Sequence, residues 1–424
     1  MKKENNLYIT RYAYPPVISE EVQQKNPGII VTIPAFHEPD LLHSLQSLGD
    51  CELPQCDVMV IVLINQPENC GGEANEINRQ SYETAVAWTS GINSSRLYFK
   101  ILWLKDLPAK DAGVGLARKI AMDEAVRQFE KFRSVNPSIH DDGIIVGYDA
   151  DCTCDKNYFF EIERYFTNKH IPAANIYYEH PLEGVLKPVY YEAILQYELY
   201  LRYHVHGLRY AGFPYAFQTV GSCMAVRSSV YQKQGGMNKR KAGEDFYFLQ
   251  KLFPLKGFGE INRTCVRPSP RISDRVPFGT GKAMGELLEN ESPKLLVYDP
   301  RSYQDLRDFI QNWREYYQSA NYQSLFQKLP ESIKSYLQKN EFEKALEEMR
   351  SSSPQIETFY KKFFHWMNGF RIFKFMNDTR DHFYPSIKVE KAAEWLLKEQ
   401  YQWSGKTDAK SLLLELRKID KGSI

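Results

Sequence analysis

Two aspartates one residue apart, Asp149 and Asp151, directly follow a run of apolar residues at 144–148. The run has the length and composition of a strand buried on both faces. Because side chains alternate along an extended chain, the two carboxylates point to the same side. Carboxylate oxygens suit Mg²⁺ and Mn²⁺, and Mg²⁺ usually binds through one or two carboxylates together with substrate phosphates and water. The pattern therefore fits a site for a divalent cation and a diphosphate, although an isolated Asp-x-Asp more often marks only a polar strand end.

The segments before these aspartates alternate between strand-like and helix-like patterns. Apolar runs at 28–33, 58–64 and 97–104 are predicted as strands. An amphipathic segment at 41–48 separates the first two runs, and a helix-favouring segment at 117–126 precedes the strand that ends at the aspartates. Such alternation predicts an α/β fold with an open, mostly parallel sheet, helices on both faces and a ligand crevice at the carboxyl ends of the strands.

Two other segments bring polar residues to that crevice. Pro34 cannot donate to a central ladder, so the first strand is predicted to end there, with Glu38 near the crevice. A lone glutamate at this point also suits the first turn of a helix. The segment 111–115, with its two glycines, fits either a capped turn or a backbone cradle for phosphate, and Arg118 follows it.

Four short motifs occur in a fixed order along the first two thirds of the chain. They are residues 33–38, residues 113–119, Asp149 to Asp151, and a glycine-containing region from 221 to 243 that ends at Glu244-Asp245. In this order the motifs resemble those of family 2 glycosyltransferases, over roughly residues 28–265. The resemblance implies GT-A, the fold of nucleotide-diphospho-sugar transferases.

The resemblance also implies roles in binding the donor. Pro34, Ala35 and Glu38 line the nucleoside pocket, and Asn65 stands where many members have an aspartate that reads the base. This departure leaves the base open, with a UDP-sugar expected first and a GDP-sugar second. The remaining donor-binding residues that the resemblance implies are Asp111 and Arg118 over the nucleotide, Asp149 at the ribose, Asp149 and Asp151 at the metal-bound diphosphate, and Gly221 and Ser222 facing the sugar and acceptor.

The acidic pair Glu244-Asp245 opens a predicted helix after Gly243. In the family the aspartate of this pair typically deprotonates the acceptor hydroxyl, so the resemblance makes Asp245 the candidate base and Glu244 either its neighbour or a substitute for it in catalysis. An alcohol is a poor nucleophile until its proton is accepted, which is why a carboxylate is needed. Two acids also stabilise a helix N-terminus without any catalytic role. A single displacement at the anomeric carbon would invert its configuration, but retaining transferases share the fold and the sequence does not separate the two.

The segment 267–282 contains prolines, glycines and basic residues, and it is predicted to be neither a regular helix nor a central strand. Arg271, Arg275 and Lys282 are candidate clamps for the diphosphate. The segment equally fits a solvated connector between domains.

Composition restricts the class of protein. The chain has 424 residues, of which 43% are hydrophobic and 25% charged, with a formal net charge of +1, and these values are typical of a globular protein without a basic surface for nucleic acid. No apolar run approaches the roughly 18 residues of a membrane helix, and no signal-peptide core follows Met1, so a cytoplasmic location is expected. The seven cysteines form no CxxC pair and are expected to be reduced.

We predict an N-terminal extension at 1–27, a GT-A domain at 28–284 and a helical region at 285–424. In the last, apolar side chains share helix faces at 306–317 and 359–373. These stripes fit a helical core. Alternatively, the region forms a platform for a lipid or glycan acceptor with peripheral membrane contact, for which Lys361, Lys362, Arg371 and Lys374 are the basic residues.

The sequence thus predicts an enzyme that uses Mn²⁺ or Mg²⁺ to move a sugar from a nucleoside-diphosphate donor to a glycan, lipid-linked or small-molecule acceptor. A Gln-x-x-Arg-Trp signature is missing, which favours limited transfer over processive synthesis. A non-catalytic nucleotide-sugar-binding or assembly protein is the alternative. A sugar-1-phosphate nucleotidyltransferase is less favoured, because residues 34–37 lack the glycine-rich turn of that class.

Overall fold

A computed structural model describes residues 6–19, 27–135, 142–273, 279–289, 294–319 and 321–422. The chain forms two compact units. The first comprises Met1–Gly184, Thr219–Ala283 and Asp420–Ser423, and the second comprises Val185–Gln218, Met284–Ile419 and Ile424. Residues 185–218, which we expected within a domain at 28–284, are thus grouped with the C-terminal helices.

The described strands are β1 (Pro27–Ala35), β2 (Asp57–Pro67), β3 (Leu97–Leu107), β4 (Ile144–Gly147), β5 (Thr153–Cys154), β6 (Ala173–Tyr178), β7 (Met224–Arg227), β8 (Gly259–Arg267), β9 (Leu296–Val297) and β10 (Ile387–Lys388). The first eight form one sheet in the order β3-β2-β1-β4-β7-β6-β8-β5. Strands β3, β2, β1 and β4 are parallel, as are β6 and β8. Strand β7 is antiparallel to both β4 and β6, and β5 is antiparallel to β8.

The described helices are α1 (Leu7–Arg11), α2 (Leu41–Gly49), α3 (Gly72–Ile92), α4 (Val114–Val135), α5 (Tyr158–Phe166), α6 (Pro188–Tyr210), α7 (Ser228–Lys233), α8 (Glu244–Leu252), α9 (Thr280–Leu288), α10 (Pro300–Gln311), α11 (Trp313–Gln318), α12 (Tyr322–Gln327), α13 (Glu331–Lys339), α14 (Phe342–Ser351), α15 (Ile356–Trp366), α16 (Gly369–His382), α17 (Val389–Tyr401) and α18 (Ala409–Asp420). Among the described residues, none of these helices is both long enough and apolar enough to cross a lipid bilayer.

The sheet has helices on both of its faces. Helices α2 and α3 connect β1 to β2 and β2 to β3, two steps in one direction, whereas α4 leads from β3 back past β1 to β4. Right-handed crossovers therefore put α2 and α3 on one face and α4 on the other. The central strands β1 and β2 are buried along nearly their whole length. The predicted α/β fold class with a mostly parallel sheet is confirmed.

Strand β1 runs through Pro34 instead of ending before it, because the strand on one side of it has already stopped. Strand β4 ends with Gly147 opposite Thr32, and the Thr32 carbonyl accepts a hydrogen bond from the Tyr148 amide beyond it. Pro34, two residues further along, faces the same side, where a strand would otherwise require its N–H. On its other side β1 continues to pair with β2, Pro34 lying opposite Leu63.

The segment at 6–19 is tied to α4 by a buried aspartate. Asp123 is fully buried, and its Oδ1 accepts hydrogen bonds from the Tyr8 and Tyr231 hydroxyls at 2.6 and 2.8 Å. Its Oδ2 lies 2.9 Å from Lys119 Nζ and accepts a hydrogen bond from the Tyr14 amide at 2.7 Å. A buried carboxylate with this many donors is satisfied, so the N-terminal segment is held against the helix. All seven cysteines are free thiols, as expected.

The second unit is helical, with the short antiparallel pair β9 and β10. Its core is aromatic, and Phe309 lies 5.0 Å from Phe342 and 5.3 Å from Phe363 between ring centroids. The predicted stripe at 359–373 is wrong in its second half, because the helix stops at Trp366 and α16 begins after an Asn368 cap. This break turns Phe370 and Phe373 outward, and they are 41% and 46% exposed.

Candidate active site

The topology of the sheet brings four chain segments to one edge. Glu38 follows the carboxyl end of β1, and Asp149 and Asp151 follow that of β4. Because β7 runs antiparallel to β4, with Met224 opposite Gly147, residues 221–223 meet the chain where it leaves β4. Strand β8 is parallel to β6, so the segment after Arg267 leaves the sheet at the same edge.

Arg118, in the second turn of α4, is the centre of a closed cluster of charges. Its guanidinium donates from Nη2 to Asp149 Oδ1 at 2.5 Å, from Nε to Glu244 Oε1 at 2.9 Å and from Nη1 to the Gly221 carbonyl at 3.2 Å. Burial alone would lower the pKa of Arg118, but Asp149, Glu244 and Asp245 raise it above its ordinary value. The side chain is only 5% exposed, so a fully charged group lies enclosed among carboxylates.

Glu244 and Asp245, at the start of α8, have raised pKa values. Helix α8 begins at Glu244 after Gly243, which adopts a left-handed conformation with φ of 70°. Burial and, to a lesser extent, the neighbouring Asp245 raise the pKa of Glu244 to about 7 against the opposing effect of Arg118. Burial also raises the pKa of Asp245, Arg118 lowers it, and the Asp149 charge raises it. A carboxylate whose pKa approaches neutrality is suited to proton transfer.

Gly221 leaves the space that the Arg118 cluster needs. A Cβ at this position would lie 2.7 Å from Arg118 Nη2 and 2.9 Å from Asp245 Oδ2. Both distances are shorter than any ordinary contact to a Cβ, so the two side chains close around the missing methyl group. The glycine therefore permits Arg118 and Asp245 to approach one another.

Gly113 and Gly115 allow another segment of backbone, at Arg240 and Lys241, to lie close to the start of α4. A Cβ on Gly115 would lie 2.0 Å from the carbonyl oxygen of Arg240, and one on Gly113 would lie 3.0 Å from Lys241 Cα. The start of α4 therefore packs against the segment that leads into α8. This contact accounts for both glycines and sets the helix that carries Arg118 beside the helix that begins with Glu244.

Arg271 forms a second, more open cluster. Its Nη2 donates to Glu38 Oε2, and its Nε and Nη2 both lie 3.3 Å from Asp151 Oδ2. The Arg271 and Asp151 side chains are each 22% exposed, whereas Glu38 is 1% exposed. Burial lowers the pKa of Arg271, but Asp151 and Glu38 raise it above the ordinary value. Arg271 therefore bridges one buried carboxylate and one that solvent reaches.

The other predicted residues have the following positions. Pro34 and Ala35 are the last two residues of β1, and Asn65 is buried near the end of β2, opposite Leu104. Ser222 is buried, with its hydroxyl 3.5 Å from Cys223 Sγ. Asp111 lies in a turn closed by its amide to the Pro108 carbonyl.

Of the other two predicted clamp residues, Arg275 and Lys282, the structure describes only Lys282. Arg275 falls at 274–278, outside the described residues. Lys282 lies in α9, which begins at Thr280, so the expectation of irregular structure throughout 267–282 is wrong at its end. The prolines of the segment stop at Pro277, and helix is possible once the chain has passed Gly279, whose φ is 103°.

A polar network near the end of β2 was missed. Gln66 Oε1 accepts hydrogen bonds from Asn78 Nδ2 and Trp103 Nε1, both at 3.2 Å, and Asn78 Oδ1 accepts one from the His37 amide at 2.8 Å. The network joins β2, α3 and β3 to the loop after β1. No local sequence pattern marks any of these residues as part of a network. Only the folded structure, which aligns the ends of neighbouring strands, shows that they meet.

The carboxylates at this edge suit a hard divalent cation. In the described parts of the chain, no group of three or more His, Cys, Asp and Glu side chains is arranged to hold a metal ion. Asp149 and Asp151 offer carboxylate oxygens, and the cation Mg²⁺ takes the rest of its shell from phosphate and water. The two residues therefore fit a cation that arrives with a phosphorylated ligand.

No protein-family model matches the sequence, and no curated protein is significantly similar to it. Among solved structures, S. aureus TarS 1–349 in complex with UDP-GlcNAc is 12% identical, with 93% of this chain and 90% of that chain covered and a TM-score of 0.37. GalNAc-T7 with UDP, GalNAc and Mn²⁺ is 12% identical, with 71% and 52% covered and a TM-score of 0.35. Similarity this low carries no argument about family or activity.

Proposed function

We propose that the chain is a metal-dependent glycosyltransferase that moves a sugar from a nucleoside-diphosphate donor to an acceptor hydroxyl. One observation supports this most strongly. Asp149 and the acidic pair Glu244-Asp245, which are far apart in sequence, meet around a single buried guanidinium at the carboxyl edge of a parallel sheet. A diphosphate-binding carboxylate and a candidate base are thereby brought within reach of one ligand.

The balance of charge at this edge supports the participation of a cation. The carboxylates of the two clusters outnumber the guanidinium groups of Arg118 and Arg271. A charged carboxylate repels a diphosphate, and a cation between the two removes that repulsion. Mn²⁺ or Mg²⁺ held by Asp149 and Asp151 would supply that charge and neutralise the departing nucleoside diphosphate.

Asp245 is the proposed base. It would accept the acceptor proton as the hydroxyl oxygen attacks the anomeric carbon and the bond to the diphosphate breaks, with inversion of configuration. Glu244, held by Arg118, fixes the first turn of α8 and so the direction of Asp245. Pro34, Ala35 and Asn65 at the ends of β1 and β2 are the proposed nucleoside pocket, and a UDP-sugar is the first donor to test and a GDP-sugar the second. The acceptor is proposed to be a glycan, a lipid-linked glycan or a small molecule, and transfer to be non-processive.

The deciding measurement is thermal stabilisation by UDP, GDP, CDP, ADP and dTDP, each with and without Mn²⁺. A ligand at 100 times its dissociation constant stabilises the folded protein by about 2.7 kcal/mol. We expect one nucleotide to stabilise the wild type only when Mn²⁺ is present, and Asp151→Asn to abolish the effect. Asp155→Asn is the matched control, because Asp155 pairs with Arg267 outside both clusters.

Stabilisation by no nucleotide, with or without metal, contradicts the proposal. Metal-dependent binding without hydrolysis or transfer of any donor would favour a non-catalytic nucleotide-binding protein.

A further inference from the structure

Arg271 lies between the two carboxylates of its cluster. Its Nη2 contacts Glu38 and is 3.3 Å from the Asp151 oxygen that its Nε also approaches. One guanidinium therefore lies between two carboxylates in the ligand-free protein.

A metal ion at Asp151 would compete with this arrangement. A cation held by Asp151 would lie near the guanidinium that the same carboxylate contacts, and their like charges would repel. Arg118 is 5% exposed and is also bound to the buried Glu244, whereas Arg271 is 22% exposed and follows β8 in a segment, residues 268–273, without regular secondary structure. Of these two arginines, Arg271 is the one that can leave its carboxylates.

We propose that Arg271 is an exchangeable counter-ion of the nucleotide site, bound to Glu38 and Asp151 in the free protein and transferred to the donor diphosphate when a divalent cation occupies Asp151. The inference rests on the proposed function. The planar fork of arginine matches phosphate oxygens in a bidentate manner, so the diphosphate gives Arg271 a new partner as the metal takes the old one. Metal and nucleotide then bind with positive coupling, each favouring the state that the other requires.

The test measures Mn²⁺ binding to the intact protein in the absence of nucleotide. Electron paramagnetic resonance reports the concentration of free Mn²⁺. Arg271→Met removes the competing charge, and we expect it to bind Mn²⁺ about tenfold more tightly than the wild type. With Mn²⁺ present, the same variant should bind UDP about tenfold more weakly, because the phosphate partner is lost. These opposite signs are not expected from a general loss of structure.

Arg267→Met is the matched control, since Arg267 lies four residues earlier and pairs with Asp155 at 2.7 Å. It should leave both affinities unchanged. If thermal melting shows that Arg271→Met is unfolded, Arg271→Gln is used in its place. We expect Arg271→Gln also to bind Mn²⁺ more tightly than the wild type.

Equal or weaker Mn²⁺ binding by the Arg271 variants, or none at all, overturns the exchange. This outcome is separable from failure of the proposed function. Nucleotide-specific, metal-dependent stabilisation of the wild type that Asp151→Asn abolishes would still stand.

Discussion

The two arginine clusters of the site differ in how far solvent reaches them. Arg118 is 5% exposed, and its guanidinium donates to Asp149, Glu244 and the Gly221 carbonyl. Arg271 bridges Glu38 and Asp151 with about a fifth of its side chain exposed. The same pairing of arginine with carboxylates can thus form a fixed scaffold in one place and an exchangeable contact a short distance along the same sheet edge. Burial, more than the number of ion pairs, separates the two roles.

The largest expected effect comes from opening the closed cluster. Arg118→Met leaves the buried carboxylate of Glu244 without its cation, and breaking a buried pair in this way costs about 3–5 kcal/mol of unfolding free energy. Urea denaturation at neutral pH measures it. A loss below about 1 kcal/mol would show that the Arg118 cluster is no more rigid than the Arg271 cluster.

A smaller effect is expected from filling the space beside Gly221. Gly221→Ala puts a Cβ within 3 Å of Arg118 Nη2 and Asp245 Oδ2, and overpacking of this kind costs about 1–3 kcal/mol. Gly91→Ala is the control, because no atom lies within 4 Å of its Cβ and alanine favours helix α3. Thermal unfolding should show Gly221→Ala below the wild type and Gly91→Ala at or above it.

The closed cluster should also respond to pH through Glu244. Its pKa of about 7 in the folded protein lies above the value of 4.5 expected in the unfolded chain. The folded state therefore binds more protons between these values, and the unfolding free energy falls as the pH rises through this window. Glu244→Gln lacks the titration, so relative to the wild type it should gain stability from about pH 4.5 to pH 7, by at most about 1.4 kcal/mol per pH unit. Denaturation at several pH values measures the difference, and a constant offset between the two proteins would contradict a raised pKa.

The smallest effect is expected from the open cluster. Arg271→Met should cost about 1 kcal/mol of unfolding free energy, because water reaches Asp151 and only Glu38 is left buried. Arg267→Met, at a more exposed pair, should change it by no more than about 0.5 kcal/mol. Denaturant titration of both variants beside Arg118→Met ranks the three sites. If Arg271→Met proved as damaging as Arg118→Met, the contrast between a fixed and an exchangeable arginine would be lost.

The fold class and the approximate positions of the first four strands were predictable because they depend on local patterns. Apolar runs located β1, β2, β3 and β4, and the acidic pair after Gly243 located the start of α8. These features depend on the side-chain period of strands and on helix start signals, both of which are short-range. The positions of Asp149 and Asp151 at a strand end followed directly.

The partners of the arginines were not predictable, because long-range packing decides them. Nothing near Arg118 in the sequence indicates that Glu244, 126 residues later, receives its Nε. Similarly, the aromatic spacing from 359 to 373 suggested one continuous face, but the Asn368 cap divides it. Residues 185–218 contain buried positions along a long helix, and only their packing shows that they belong with the C-terminal helices.

The binding edge is formed partly by segments that come late in the chain, such as the residues before β7, which is antiparallel to β4. Residues up to Gly147 can form the parallel strands β1 to β4 while the rest is still being made. The Glu38 carboxylate, however, cannot contact Arg271 until a further 233 residues have been synthesised. Arg118 likewise cannot contact Glu244 until a further 126 residues have been synthesised. A nascent chain that has exposed only its first 240 residues therefore contains Asp149 and Arg118 but neither Glu244 nor Arg271. The two arginine clusters can be completed only after the parallel strands β1 to β4 that support them have been synthesised.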